Sequence, residues 1–181
     1  MLYPNPQNQH PKISEKAWVS ETAIIVGDVT IGDNVYVGHN AIIRADEPGS
    51  SIVVGDNCNV QDNVTIHALS HSEVIIEKDT SLAHRCIVHG PCSIGHGCFV
   101  GFGAVVFDCN IGDDVLVLHN ATVRAVEIPS GKVVSDGKVV TKQEDVETLE
   151  EITSDLAKFK SSVINANVEL VDGYKNLAQE A

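Results

Sequence analysis

The sequence has few positive charges and no long apolar segment. Lys and Arg number 12 against 25 Asp and Glu, which gives a formal net charge of −13. A surface this acidic argues against nucleic acid and anionic membranes as partners. No apolar stretch approaches the roughly 20 residues that a helix needs to cross a bilayer. The opening residues lack the charged and apolar regions of a signal peptide, so we expect a cytoplasmic protein of one domain.

What the sequence has instead is an aliphatic residue at every sixth position, with a few slips. These residues are Val19, Ile25, Ile31, Val37, Ile43, Val54, Val60, Ile66, Ile76, Leu82, Val88, Ile94, Val100, Val106, Ile111, Val117 and Val123. Neither a helix nor a simple alternating strand has this period. Gly-Asp and Asp-Asn pairs between the aliphatics favour tight corners. A short strand and a corner every six residues would wind the chain into a three-sided prism, with the aliphatics inside and successive turns paired as parallel strands.

This pattern resembles the left-handed parallel β-helix of hexapeptide-repeat proteins. The hand is implied by the resemblance alone, because parallel crossovers are otherwise right-handed. We therefore predict an all-β fold, a left-handed parallel β-helix of hexapeptide repeats followed by a C-terminal α-helix. The alternative is a β-sandwich whose turns share this spacing by coincidence.

The two ends of the chain differ from the repeat. Steps of three and four between apolar residues predict an amphipathic helix in the tail, capped at Thr153 or Ser154. Its apolar residues are Leu156, Phe159, Val163, Ala166, Leu170, Tyr174 and Leu177. This stripe must be buried on the flank of the prism or on a neighbouring molecule. We divide the chain into an extended arm (1–18, anchored by Trp18), a β-helix domain (19–140) and a C-terminal helical segment (141–181).

The five cysteines do not indicate a disulfide or metal framework. Cys58, Cys86, Cys92 and Cys98 occupy the fifth position of their hexads, where the repeat favours a small residue, and Cys109 lies off that position. An odd number of cysteines allows no complete pairing. We expect them to be small buried residues.

Three of the eight histidines are distinguished by their spacing. His67 and His89 follow the aliphatics Ile66 and Val88, which stack one turn apart if the chain after Ile66 is one hexad plus a four-residue loop. At a rung spacing of about 4.8 Å, two imidazoles can share one metal ion. His84 falls on the preceding side, so a threefold assembly would bring it to the pair on the next subunit. Three histidines with an open position suit a hydrolytic or hydrating metal site; three polar surface histidines are the alternative.

Several motifs resemble those of the γ-class carbonic anhydrases. They are Arg44-Ala-Asp46, Asn59-Val-Gln-Asp-Asn63, Thr65-Ile-His-Ala68, Leu82-Ala-His-Arg-Cys-Ile-Val-His-Gly-Pro91 and the tail segment Ala166-Asn-Val-Glu-Leu-Val-Asp-Gly-Tyr174. The resemblance implies a homotrimer that reversibly hydrates carbon dioxide to bicarbonate. It implies one metal per subunit interface, with His67 and His89 from one subunit and His84 from the next. The metal would be zinc, with iron(II) or cobalt as alternatives.

The same resemblance implies roles for polar residues. Arg44 would pair with Asp46 at the interface and meet bicarbonate, which suits a planar guanidinium. Gln61 would orient the metal-bound hydroxide, with its partner Asp62 and with Asn59 in the same cluster. For Asp46, a salt bridge that only holds the trimer is the alternative. A further residue, Asn167, matches a tail asparagine that helps to position substrate, a solvated helix side chain being the alternative.

The sequence departs from the family pattern where a proton would leave. The family's acidic shuttle loop is absent, and Ser70 stands at the place of its glutamate, which resembles a shorter subclass. Glu47 matches a second family carboxylate, so we hypothesise that Glu47 or His71 relays the proton, a solvated loop histidine being the alternative for His71. A missing shuttle would make turnover slow or absent. Two other functions compete: a non-catalytic assembly or binding subunit, and an acyltransferase on the same prism.

Overall fold

The computed structural model describes residues 1–180, within which the chain forms short strands throughout and one long terminal helix. In chain order the strands are β1 (Leu2–Tyr3), β2 (Lys12–Ile13), β3 (Trp18–Val19), β4 (Ile24–Gly27), β5 (Val29–Ile31), β6 (Tyr36–Val37), β7 (Ile42–Ala45), β8 (Ser51–Val54), β9 (Asn59–Val60), β10 (Thr65–His67), β11 (Glu73–Ile76), β12 (Ser81–Leu82), β13 (Ile87–Ile94), β14 (Phe99–Val100), β15 (Val105–Ile111), β16 (Leu116–Val117), β17 (Thr122–Arg124), β18 (Glu127–Ile128), β19 (Lys132–Val134), β20 (Val139–Val140) and β21 (Glu150–Glu151). The helices are α1 (Gln143–Val146) and α2 (Ser154–Glu180).

The strands lie on three faces of a prism, each pairing in parallel with the strand one turn away. Face 1 contains β1, β4, β7, β10, the first halves of β13 and β15, β17 and β20. Face 2 contains β2, β5, β8, β11, the second halves of β13 and β15, and β18. Face 3 contains β3, β6, β9, β12, β14, β16 and β19, with β21 added antiparallel at its end. The predicted parallel β-helix with a C-terminal α-helix is confirmed.

The hexad aliphatics form continuous columns inside the prism. On face 1 the parallel register stacks Ile25, Ile43, Ile66, Val88 and Val106, each with no exposed surface. Short polar residues with positive φ close many of the corners, because Asn and Asp tolerate the left-handed conformation that most residues avoid. They include Asn34, Asn40, Asn57, Asn63, Asp79, Asp114 and Asn120. The period of six is therefore one side of the prism plus its corner.

The first eighteen residues differ from the extended arm that the sequence suggested. Strands β1, β2 and β3 pair in parallel with β4, β5 and β6, so this segment forms the first turn of the β-helix. Ile13 packs against the core six positions before Val19. Backbone hydrogen bonds between turns form whatever the side chains are. Because this turn has few aliphatic residues at the sixth positions, the repeat cannot be recognised there in the sequence.

The long helix α2 packs along face 3 of its own chain. Its first turn is capped by Thr153, whose Oγ1 accepts a hydrogen bond from the Leu156 backbone at 3.3 Å. The ring of Tyr174 stacks on Trp18 at 4.1 Å between centroids, and Phe159 meets Phe99 edge to face at 5.3 Å. Leu156 and Val163 pack against the prism, but Leu170 and Leu177 are 44% and 63% exposed, so the expectation that the whole stripe is buried is wrong. The buried positions of α2 lie one residue later, at Lys160, Ile164, Asn167 and Val171. No helix in residues 1–180 is long and apolar enough to cross a membrane.

The cysteines are all free and buried, as expected from their positions. The sequence placed Cys109 off the fifth hexad position, but in the structure Cys109 is stacked in the same inward column as Val74 and Cys92. Its predicted position in the repeat is therefore corrected. The reason lies at the corner between faces 1 and 2. Strand β13 turns there with Gly90 and Pro91, whereas β15 turns with Asp108 alone at φ 52°, so the register shifts by one residue.

Candidate metal centre

His67 and His89 lie side by side on face 1, one turn apart. They are register partners in β10 and β13, as the counting of hexads predicts. Nδ1 of His67 lies 3.1 Å from Nε2 of His89, and the rings meet edge to face at 4.9 Å between centroids. Two imidazole nitrogens bound to one tetrahedral zinc-type ion at about 2.1 Å would lie about 3.4 Å apart. The observed separation therefore fits a shared metal ion.

The hydrogen bonds around this pair define which nitrogens carry protons. Nδ1 of His89 lies 3.2 Å from the carbonyl oxygen of Gly90, to which it donates, so Nε2 keeps its lone pair. With both rings neutral, Nδ1 of His67 donates to His89, and Nε2 of His67 accepts from Nη2 of Arg44 at 3.2 Å. For Nδ1 of His67 to bind a metal, the proton of this ring must instead lie on Nε2, where Oε1 of Glu47 is 3.4 Å away. Burial lowers the pKa of His67, as do the neighbouring Arg44 and His89. A neutral imidazole is the form that binds a metal.

Two carboxylates complete this group on face 1. Asp46 accepts a hydrogen bond from Nε of Arg44 at 3.1 Å, and its Oδ1 lies 3.6 Å from Nε2 of His67. Oε1 of Glu47 lies 3.4 Å from the same nitrogen. Oε2 of Glu47 accepts from the backbone and hydroxyl of Ser70, which lowers the pKa of Glu47. We call Arg44, Asp46, Glu47, His67 and His89 the face 1 cluster.

His84 lies apart from this cluster, in the turn between β12 and β13. Its side chain is half exposed, and Nδ1 lies 3.6 Å from Oδ2 of Asp62. The other oxygen of Asp62 accepts the backbone N–H of His39 at 2.9 Å, which fixes the carboxylate beside the imidazole. A carboxylate beside one ring nitrogen favours a ring orientation in which the other nitrogen can bind a metal.

Gln61 and Asn59 lie next to this turn, under α2. Nε2 of Gln61 donates to Oδ1 of Asn59 at 3.1 Å, and the hydroxyl of Ser81 donates to the same oxygen at 2.8 Å. All three residues are buried, and Nδ2 of Asn59 has no partner among the described residues. Because Nε2 of Gln61 is engaged, its Oε1 is left to accept other hydrogen bonds. We call Asn59, Gln61, Asp62 and His84 the corner cluster.

Two further candidates lie outside both clusters. Asn167 is buried on α2, where its Nδ2 donates to the carbonyl oxygen of Val163 at 2.8 Å. Its predicted contact with substrate stays a prediction. His71 is exposed in the loop after β10, at φ 56°, and its role in proton transfer likewise stays a prediction.

The candidate site residues of one chain lie in two separate groups, the face 1 cluster and the corner cluster. Within residues 1–180, no three side chains of His, Cys, Asp or Glu converge as a ligand set. Sequence reasoning did not find Ser81, which contacts Asn59, or Phe102, whose ring stacks on His84. Both lie one turn beyond the residue that they contact, so the same counting of turns could have found them.

Comparisons with known proteins agree with this geometry. Residues 10–45 match the family model described as bacterial transferase hexapeptide (six repeats). A carbonic anhydrase of Methanosarcina thermophila is 36% identical, over 94% of this chain and 77% of its own. The carboxysome assembly protein CcmM of a Nostoc species is 35% identical, over 90% of this chain, which spans 31% of that relative. A Bacillus cereus structure proposed to be an acetyltransferase has a TM-score of 0.86 and 27% identity, covering 97% of each chain.

The fold and these matches define a hexapeptide-repeat protein. Within that class, the chain belongs to the γ-class carbonic anhydrase family.

Proposed function

We propose that this protein is a metal-dependent carbonic anhydrase that hydrates carbon dioxide reversibly at the subunit interfaces of a homotrimer. The observation that carries the proposal is the convergence of His67 and His89 at 3.1 Å on one face, with His84 on a different corner. One chain then supplies two ligands to one metal and the third ligand to the next. Cyclic head-to-tail assembly closes such an arrangement.

The surface beside the histidine pair supports a partner subunit at this place. An outward column of largely aliphatic residues runs along face 1, parallel to His67 and His89. Its members are Ile24, Ile42, Thr65, Ile87, Val105, Thr122 and Val139. Ile87 and Val139 are 39% and 60% exposed in the single chain. The other members are partly exposed, and a largely apolar stripe of this kind is typical of a surface that another molecule covers.

The residues fit a borderline divalent metal. Neutral imidazoles suit zinc, iron(II) and cobalt(II), and we propose zinc as the first choice. When bound there, the metal would act as a Lewis acid that makes a water molecule nucleophilic near neutral pH. The hydrogen bond from His89 to Gly90 keeps the lone pair of Nε2 available for it. The carboxylate of Asp62 would hold His84 in the same way.

The remaining residues would handle substrate and protons. We propose that Arg44 binds bicarbonate through its planar guanidinium, which Asp46 orients. Gln61, held by Asn59, would offer Oε1 to the reacting water. Glu47 lies close enough to His67 to receive or pass a proton through water. Asn167 would act from α2 on the bound substrate.

A second function, a non-catalytic assembly subunit, is favoured by one observation. A relative almost as similar as the carbonic anhydrase carries the name of a carboxysome assembly protein. This second function would retain the trimer and the metal without turnover. An acyltransferase has less support, because the Bacillus cereus structure proposed to be an acetyltransferase is only 27% identical.

Stopped-flow measurement of carbon dioxide hydration separates these functions. The protein is prepared without oxygen, loaded with zinc, iron(II) or cobalt(II), and compared with His89→Ala as the control. We expect hydration above the buffer rate for the parent and none for the variant. Parent protein that holds metal but does not exceed the buffer rate would favour the assembly subunit. Parent protein that holds no metal would contradict both functions.

A further inference from the structure

His84 is the first ring of a three-ring stack at its corner. The ring of Phe102 lies against His84 at 5.5 Å between centroids and 30° between planes. The ring of His119 lies on the other side of Phe102 at 4.4 Å and 15°. The three residues occupy equivalent corner positions on successive turns of the prism.

The backbone fixes the far end of this stack. Nδ1 of His119 accepts the backbone N–H of Phe102 at 3.0 Å, so the ring of His119 is held in place and in one tautomer when neutral. Gly101 permits this approach, because a Cβ at that position would lie 2.9 Å from Nδ1 of His119. The ring of His119 covers one face of Phe102, which is still 47% exposed.

A carboxylate lies beside the Nδ1 edge of the His84 ring. Oδ2 of Asp62 lies 3.6 Å from Nδ1, and the backbone of His39 fixes that carboxylate. The imidazole is thereby held between a carboxylate on its Nδ1 edge and an aromatic ring on its flat face. A half-exposed histidine with only one such contact would sample several rotamers, and ordering it on binding would weaken the binding.

We propose that Phe102, supported by His119, is a positioning residue that holds His84 ready to bind the metal of the neighbouring subunit. This inference rests on the proposed function, in which His84 is the ligand from across the interface. Phe102 does not touch the metal or the substrate. It acts by removing the rotational freedom of His84 before the subunits meet. Partners that orient a metal ligand typically change metal affinity by about 10–100-fold.

The proposal is tested by two substitutions at Phe102, one that keeps a flat ring and one that keeps only the apolar volume. Phe102→Tyr keeps a flat ring, whereas Phe102→Leu keeps the apolar volume without one. The readouts are the zinc dissociation constant by chelator competition, the visible spectrum of the cobalt(II) protein, the trimer mass and the melting temperature. Phe159→Leu is the control, since Phe159 is 40% exposed on α2 and meets Phe99 edge to face, away from the three-ring stack.

We expect Phe102→Leu to weaken zinc binding by about tenfold or more and to change the cobalt spectrum, with the trimer intact. Phe102→Tyr and Phe159→Leu should bind zinc like the parent. His119→Ala should weaken zinc binding in the same direction but less. Parent-like zinc binding by Phe102→Leu would overturn the proposal. Weaker binding that accompanies loss of the trimer would also overturn it, because Phe102 would then act only as interface surface.

The parent and His84→Ala are measured first, so that two different failures can be told apart. Equal zinc affinity and equal cobalt spectra for these two proteins would remove His84 from the ligand set. That result would overturn the ligand assignment of the proposed function and this inference together. A large difference between them, with no effect of Phe102→Leu, would overturn the inference alone.

Discussion

Nδ1 of His67 lies 3.1 Å from Nε2 of His89, and the two residues are register partners on neighbouring turns of face 1. Parallel pairing sets their backbones about 4.8 Å apart, so the rings must converge or diverge through their side-chain rotamers. They converge because the carbonyl of Gly90 and the guanidinium of Arg44 bind the outer nitrogens. These contacts hold the two rings side by side, and metal binding through Nδ1 of His67 would require the proton of that ring to lie on Nε2.

Mixed trimers test whether each metal lies between two chains. His67→Ala and His84→Ala should each abolish stoichiometric metal binding. When the two variants are unfolded and refolded together, about a quarter of the interfaces should regain a complete ligand set, because one chain supplies His67 and the next His84. The measurement is metal per chain after gel filtration. Metal content that stays at the level of the separate variants would contradict a shared site.

Ser81 is predicted to support catalysis through Asn59. Ser81→Ala removes the 2.8 Å hydrogen bond to Oδ1 of Asn59, which also accepts from Gln61. We expect a loss of about 1 kcal/mol in stability, together with a several-fold lower kcat and an unchanged zinc affinity. Ser81→Thr, which keeps the hydroxyl, is the matched variant and should retain more activity. An equal loss for both variants would show that the packing of β12, rather than the hydrogen bond, matters.

The cysteine thiols should be inert in the folded protein. Burial raises the pKa of Cys58 to about 12 and that of Cys98 to about 12, so neither forms thiolate near neutral pH. We expect no reaction with iodoacetamide at pH 8 until the protein is unfolded in guanidinium. Since the folded pKa lies above the unfolded value of 9.0, stability should fall as pH rises from about 9 towards 12. Rapid labelling of native protein would contradict this burial.

Removing one partner of the ion pair between Lys160 and Asp114 should reduce stability by a different amount from removing the other. Lys160 is 5% exposed on α2, whereas half of the Asp114 side chain remains accessible. Asp114→Asn leaves a buried ammonium without its partner, and we expect a loss of about 1–2 kcal/mol after allowing for solvent on the exposed side. Lys160→Met replaces the charge with an apolar chain and should cost less. Urea denaturation of both variants is the measurement, and a greater loss for Lys160→Met would contradict the argument.

Replacing the corner residue Ala125 should increase the stability of the protein. Ala125 is exposed at φ 56°, a left-handed conformation that costs a residue with a Cβ about 1–2 kcal/mol. Ala125→Gly should therefore stabilise the protein by about 0.5–1 kcal/mol, after the greater chain entropy of glycine is subtracted. Ala157→Gly in the first turn of α2 is the same chemical change in a helical backbone, and it should destabilise. The shifts in urea midpoint should have opposite signs.

The aliphatic period of six determined the prism, its inward columns and the stacking of His67 on His89. Each side of the prism is formed by residues close in sequence, so counting places a side chain on a side and a turn. Counting hexads gave the wrong position for a residue where a corner of the prism is one residue shorter than in the turn before. Asp108 turns alone where Gly90 and Pro91 turn together, and this moved Cys109 beside Cys92.

Only the tertiary structure decided that residues 1–18 form the first turn and that α2 lies on its own prism. It also decided that Phe102 and His119 support His84. These outcomes depend on side-chain rotamers and on packing between distant segments. A local hydrophobic period encodes which way a residue faces, but not which ring or helix will lie against it.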